Sequence, residues 1–281
     1  MSTEPEKSTP DDVDSRYIVP GLLRGLRVLE LFCADRPELT QKEIEQGADL
    51  SVSAAYRVVY TLESGGYVQK DPATKKYRLG AQVLSIGVEY LNALELSVVA
   101  QPFIERLAKE TNAAAHIVTL EGVESLHVAR AVPNAAIISN LPVGRRLPAH
   151  ATVSGQAILS YRTQTELEAI YAQIVETTFP DGVEKPASLD VFLEKTRRDH
   201  DAGYVAHPSL FEPEVFAVAC PILDNNSRAI AAISVVAPQR IFDRQGGPLT
   251  AVQKIQNAAR EIAGGLGLQS QQRAFSAKGL K

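Results

Sequence analysis

The chain has 281 residues, 45% hydrophobic and 22% charged, with a formal net charge of −4. That length accommodates two ordinary domains, and mixed charges with normal apolar content make a soluble globular protein the expected class. Two distant cysteines, Cys33 and Cys220, exclude a disulfide framework and suit a reducing cytoplasm. No apolar run is long enough to cross a bilayer, and the polar, acidic N-terminus is the opposite of a secretory or transit signal, so no membrane partner is expected.

Residues 1–15 lack apolar periodicity and read as a disordered acidic tail. Between Arg16 and Gly80, ten basic residues stand against eight acidic ones, so this segment is locally basic within an acidic chain. From Gly21, "GLLRGLRVLELFCAD" reads as a helix with Leu22, Leu26, Leu29 and Phe32 on one face. Thr40 and Glu43 have capping-box spacing and open a short second helix with Ile44 inward, followed by a turn at Gly47-Ala48-Asp49. A third helix starts near Ser51 and stops at Gly65-Gly66. Its apolar stripe is Ala55, Val58, Val59 and Leu62; its other side carries Ser53, Tyr56, Arg57 and Tyr60. "YVQKDPATKKYRL" reads as two strands around an Asp-Pro turn. Helix, helix, tight turn, helix and hairpin make a winged helix-turn-helix over 16–80.

In such a domain the third helix packs its stripe on the first two and lays its outer face in the major groove of double-stranded DNA. Arg57 can donate two hydrogen bonds to a guanine edge, Ser53 can reach a base or phosphate, and Tyr56 and Tyr60 supply hydroxyls and flat area. Lys70, Lys75, Lys76 and Arg78 on the hairpin would meet phosphates. Arg24, Thr40, Ser51 and Ala54 complete the candidate DNA-contact set. The same residues would also serve as a solvated helix face and a charged turn; their combination in this order favours DNA.

After Gly80, "AQVLSIGVEYLNALELSVVAQPFIERLAKETN" reads as two helices joined near Asn92 to Glu95, with Pro102 early in the second. The first is a linker helix over 81–95. Its face of Val83, Leu84, Val88 and Leu91 would be covered by a second copy of the chain. "AAAHIVTL" and "SLHVARAV" form a hairpin about Glu121-Gly122, and "AIISNLPVG" reads as a further strand. Helical segments within 164–174 and 189–201 precede the strands "YVAH", "FAVACPIL" and "AIAAISVVAP", and "LTAVQKIQNAAREIAGGLG" is a closing helix. The class is α+β, with a curved antiparallel sheet over 96–270 and a tail over 271–281. Thr152 and Ser154, just before the helix "GQAILS", offer hydroxyls that suit a carboxylate, although from the residues alone Ser154 reads first as a helix cap.

"VPGLLRGLRVLELF", "LTQKEIEQGADLSVSAAYRVVYTLESGGYVQKDPATKKYRLG" and "RLPAHATVSGQAILS" resemble the IclR family of bacterial transcription regulators, over about Val19 to Leu266. The matching positions are Arg24, Ser53, Arg57, Gly66, Tyr67, Val68, Tyr77, Arg78, Leu79 and Gly80. Two positions depart: Asp49 stands at the turn glycine, where a left-handed backbone is tolerable, and Glu45 replaces a small residue between helices two and three and should point outward. The resemblance implies a GAF-like effector-binding domain, an inverted-repeat operator bound by a homodimer or homotetramer, and control that is often of a catabolic operon. It also implies a small-molecule effector, anionic or aromatic, contacted by Leu147, Val153, Ser154, His207, Ala217 and Ser234. His207 could be charged near neutral pH, Phe211 and Phe216 could wall an aromatic ligand or belong to the core, and Cys220 suits a buried thiol.

Rival functions find less support. The chain has no Gly-x-Ser-x-Gly elbow, HExxH, Walker loop or Gly-x-Gly-x-x-Gly fingerprint, so no catalytic residues and no cofactor are expected. A metal or redox sensor built on His116, His127, His150, His207 and Cys220 is the alternative, yet none has compact ligand spacing and no metal is expected.

Overall fold

The computed structural model describes residues 17–33, 35–133, 141–212 and 214–268. The expected acidic tail, Arg16 and the tail from 271 lie outside them. The chain divides into two compact units, one ending at Tyr90 and the other beginning at Leu91.

The first unit runs α1 (Pro20–Glu30), β1 (Glu38–Leu39), α2 (Gln41–Gly47), α3 (Val52–Ser64), β2 (Val68–Lys70) and β3 (Tyr77–Leu79), with α4 (Ala81–Ala93) leading across the boundary. Val28, Phe32, Leu39, Ile44, Ala48, Val59, Val68 and Tyr77 form its core. Each fully buried Val, Leu or Ile here contributes about 1.5–3 kcal/mol, which is what holds so small a unit together. The Thr40–Glu43 capping box is present in both directions, and Ser51 caps α3 by accepting from the Ala54 amide. Asp49 takes the left-handed backbone at φ 52°, while Glu45 is half-buried instead of fully outward.

Two features differ from the sequence reading. The buried residue of α1 is Val28; Phe32, just beyond the helix, is buried as expected, Leu29 is half-buried, and Leu22 and Leu26 are exposed. The helix packs on α3, with Gly25 in ordinary van der Waals reach of Leu62; a glycine contact surface is invisible to a hydrophobic pattern. The wing has three strands in the order β1-β3-β2, because Glu38 and Leu39 pair with Arg78 and Tyr77. The wing also closes on a backbone contact. A Cβ at Gly80 would stand 2.1 Å from the Gly66 carbonyl oxygen, so no other residue fits there without moving the chain.

The second unit holds α5 (Glu95–Thr111), β4 (Ala114–Glu121), β5 (Glu124–Ala131), β6 (Arg146–Pro148), α6 (Val153–Leu159), α7 (Gln164–Glu176), α8 (Leu189–Ala202), β7 (Val205–Pro208), β8 (Val215–Leu223), β9 (Ala229–Pro238), α9 (Gln239–Asp243) and α10 (Val252–Gly265). The six strands make one curved antiparallel sheet in the order β6-β5-β4-β9-β8-β7. One face carries Ile117, Val128, Val218, Cys220, Ile233 and Val235 against α5 and α10. The opposite face carries Val205, Val215, Ala217, Ala219, Ala232 and Val236 under Val153, Ala157 and Ile158 of α6. Both faces are therefore covered, and the strands read as nearly continuous apolar runs.

Pro102 is not at the start of its helix. It sits inside α5, which begins at Glu95. Its missing amide costs on the order of 3 kcal/mol, offset by buried Ala100, Ile104, Leu107 and Ala108 on the same helix. The expected strand "AIISNLPVG" lies partly outside the described residues. The edge strand starts later, at Arg146.

Candidate nucleic-acid interface and effector face

The α3 N-terminal half and the wing enclose a cleft of about 640 Å³, lined by Gln41, Val52, Ser53, Tyr56, Arg57, Lys70, Lys75 and Tyr77. Burial of Ala55 and Val59 in the core turns Ser53, Tyr56, Arg57 and Tyr60 outward, one helical turn apart. Tyr60 stands outside the cleft but stacks on Tyr56, with ring centroids 6.3 Å apart. In the wing, Asp71 accepts from the Ala73 and Thr74 amides, which holds its carboxyl below the usual range and tightens the turn. Lys75 follows at φ 61°, and the Lys70 ammonium lies 5.0 Å from the Tyr77 ring centroid. Contact with Tyr77 raises the Lys70 pKa, so the charge is firmly held.

The other candidates are placed differently. Thr40 spends its hydroxyl on Glu43, and Ser51 spends its own on the α3 cap. Arg78 donates to Gln69 Oε1 across the hairpin at 3.1 Å. Arg24 is exposed on α1, Ala54 is half-buried, and Lys76 is half-buried on the wing; none of the three lines the cleft. Gln41, Val52 and Tyr77 line it and were not among the expected contacts. Gln41 could have been found from its position opening α2, beside the start of α3; Tyr77 looked like an ordinary core strand residue.

The effector candidates share one side of the sheet. Alternation along β9 puts Ser234 with Ala232 and Val236, and His207 pairs with Ala217 across β7 and β8. Val153 and Ser154 are buried in α6. Leu147 pairs with Ser125, whose hydroxyl donates to the Leu147 carbonyl and lies 3.2 Å from the Thr152 hydroxyl. Leu147 is on edge strand β6 and His207 on the opposite edge, so the six residues line a face and not a single point. Thr152, not Ser154, caps α6, through the Gly155 amide. Gly155 is required there: a Cβ would fall 2.2 Å from the Ala149 carbonyl oxygen.

His207 is tied to α6. Gln156 Nε2 donates to the His150 carbonyl at 2.7 Å, which turns Gln156 Oε1 toward His207 Nε2 at 3.1 Å. His207 Nδ1 lies 2.7 Å from the Pro208 carbonyl. Burial lowers its pKa, against the pull of the Pro208 carbonyl, with Lys195 and Asp199 of α8 opposing each other. Phe216 is on the far side of the sheet, edge-on to Phe242, and does not wall this face. Cys220 is on that far side too, its thiol pushed up to about 12 by burial. His116 and His127 face the α6 side, and the sequence reading gave them no part in an effector site; strands covered on both sides offer no alternation to single them out. Among the described residues, no three His, Cys, Asp or Glu side chains are grouped to hold a metal ion, and no single helix is long and apolar enough to cross a membrane.

Comparison with known proteins gives the same two-part division. The family model for the IclR helix-turn-helix domain matches residues 21–72, and that for the bacterial transcriptional regulator IclR C-terminal region matches 88–264. The HTH-type transcriptional regulator XynR of Escherichia coli is 28% identical over 218 residues, covering 78% of this chain and 86% of that protein. The Pca regulon regulatory protein of Pseudomonas putida is 30% identical over 216 residues, covering 76% and 72%. Among solved structures, an IclR homolog from Microbacterium hydrocarbonoxydans complexed with 4-hydroxybenzoate superposes with a TM-score of 0.73 at 29% identity, covering 88% of this chain and 99% of that one. With both halves matched in order over most of its length, the chain belongs to the IclR family of bacterial transcriptional regulators.

Proposed function

We propose that this regulator works in the cytoplasm, binding an inverted-repeat operator as a homodimer, or as a tetramer of two such dimers. It changes its hold on DNA when a small carboxylate or aromatic acid occupies the α6 face of the sheet. The DNA-binding domain is 16–80, the linker helix 81–95 and the effector domain 96–270. The observation that carries the reading is the α3–wing cleft, where Arg57 and Ser53 share one concave surface with Lys70 and Lys75. Guanidinium and hydroxyl groups suit base edges, and ammonium groups suit phosphates.

Pairing of two copies is supported by α4, which has no buried residue and exposes Leu84, Ile86, Val88 and Tyr90. Two-fold symmetry would set two recognition helices in successive major grooves about 34 Å apart. An acidic effector is supported by His207, whose two ring nitrogens both face oxygen acceptors. Burial disfavours the imidazolium in the free protein, and an anion bound nearby would favour that form, which satisfies both acceptors. The neighbour crystallised with 4-hydroxybenzoate favours an aromatic acid.

The test is a titration of purified protein against DNA upstream of its own gene at rising salt. Affinity should fall log-linearly, with a slope reflecting about six to ten phosphates per dimer. Absence of DNA binding at low salt, or a flat salt response, would overturn the reading.

A further inference from the structure

The α3–wing cleft contains a side chain for which neither the fold nor the expected contacts account. Gln41 is the first residue of α2 and lines the cleft with Val52, Ser53, Arg57 and Lys70. Its carboxamide oxygen and nitrogen are both closed off from water, and neither has a hydrogen-bond partner among the described residues. The polar side chains beside it in the sequence are already engaged, since Thr40 and Glu43 bond to each other in the capping box. Burial of polar atoms without partners destabilises a fold, and an apolar side chain of similar length would fill the same place without that penalty. Gln41 is thus unfavourable to the free protein, and local conflicts of this kind gather at functional surfaces.

The chemistry of the carboxamide narrows what it meets in the cleft. Oε1 accepts and Nε2 donates. A DNA phosphate only accepts, so it would leave Oε1 unpaired. In the major groove guanine presents two acceptors, cytosine a donor, and thymine an acceptor beside its methyl group. Adenine alone presents a donor, at N6, next to an acceptor, at N7. An adenine edge therefore satisfies both atoms at once. With no hydrogen bond holding it inward, the carboxamide can turn toward a base by rotation about its own side-chain bonds. Arg57 complements guanine from the same cleft, so the two side chains suit different bases.

We propose that Gln41 is a specificity-determining residue that reads the major-groove edge of an adenine in the operator, from α2 instead of the recognition helix. The inference rests on the reading of the cleft as the DNA-binding surface and adds a base that is selected there.

Selection of duplexes from a randomised DNA library by the full-length protein tests it, with the enriched duplexes then measured singly by fluorescence anisotropy. The parent should enrich an adenine whose replacement weakens binding by about five- to a hundredfold. Gln41→Leu should bind the adenine duplex and its replaced forms within about twofold of one another. Gln41→Glu, which can only accept, should move the preference at that position to cytosine. Denaturant unfolding reads the free protein: Gln41→Leu should unfold at the same concentration as the parent or a higher one, because two unpartnered polar atoms are gone. A lower midpoint, or a variant that does not fold, would mean that the carboxamide bonds within the protein, and the proposal falls. It falls equally if Gln41→Leu weakens all duplexes alike, if adenine discrimination survives the substitution, or if no adenine is enriched. A parent that selects a sequence indifferent to Gln41 removes this inference alone, whereas a parent that binds no DNA removes the regulator reading beneath it.

Discussion

His207 Nε2 lies 3.1 Å from Gln156 Oε1, an acceptor whose orientation is dictated by the bond from Gln156 Nε2 to the His150 carbonyl. Neutral His207 has one proton for two acceptors, because its Nδ1 faces the Pro208 carbonyl as well. Gln156→Glu would place a carboxylate against that Nε2 and raise the imidazole pKa by about one unit or more. Proton NMR titration of the His207 ring should show the midpoint moving upward relative to the parent protein. A midpoint unchanged or lowered would mean that α6 does not hold the ring as described.

Arg57→Ala should weaken binding to the specific operator by about 1–3 kcal/mol and leave affinity for random DNA nearly intact, since a base-edge contact is sequence-dependent. Lys75→Ala, at the wing side of the cleft, should weaken both alike and shallow the salt dependence by about one phosphate. Competition binding at two salt concentrations separates the two. Equal losses for Arg57→Ala on operator and random DNA would assign it to the backbone.

The DNA-binding half was largely readable because its signals are local. Thr40 and Glu43 announce one helix, Ser51 another, and Gly65-Gly66 stops it; each acts within four residues of its partner. What escaped depends on contacts distant in sequence. β1 exists only because Glu38 and Leu39 find β3, and the true face of α1 follows from its packing on α3. Phe216 resembled a ligand wall until alternation in β8 put it beside Phe242. Nothing in the spacing of His116 and His127 along the chain marks them as a pair, since register between strands brings their rings together.

Thr40 separates capping from DNA contact. Its hydroxyl accepts from the Glu43 amide and donates to the Glu43 carboxylate, which in turn accepts from the Thr40 amide. Thr40→Ala should cost the fold about 1 kcal/mol, and Thr40→Ser should recover most of it. Denaturant unfolding followed by circular dichroism measures this. Full stability with weakened DNA binding would make Thr40 a contact instead of a cap.

Acid should destabilise the second unit before its carboxylates titrate. Burial lowers the His116 pKa well below its ordinary value and that of His127 to about 4, against 6.5 in the open chain. Above pH 6.5 neither state binds protons at these rings, so they contribute no pH dependence. As pH falls through 6.5 the unfolded chain takes up protons that the fold refuses, and stability drops until the folded value is reached. At pH 5 the His127 share of that loss is on the order of 2 kcal/mol. The denaturation midpoint should therefore fall between pH 7 and pH 5, and His127→Asn should flatten the slope over that interval. A slope identical in parent and variant would show that this ring protonates in the folded protein as readily as in the unfolded one, contrary to its burial between the sheet and α6.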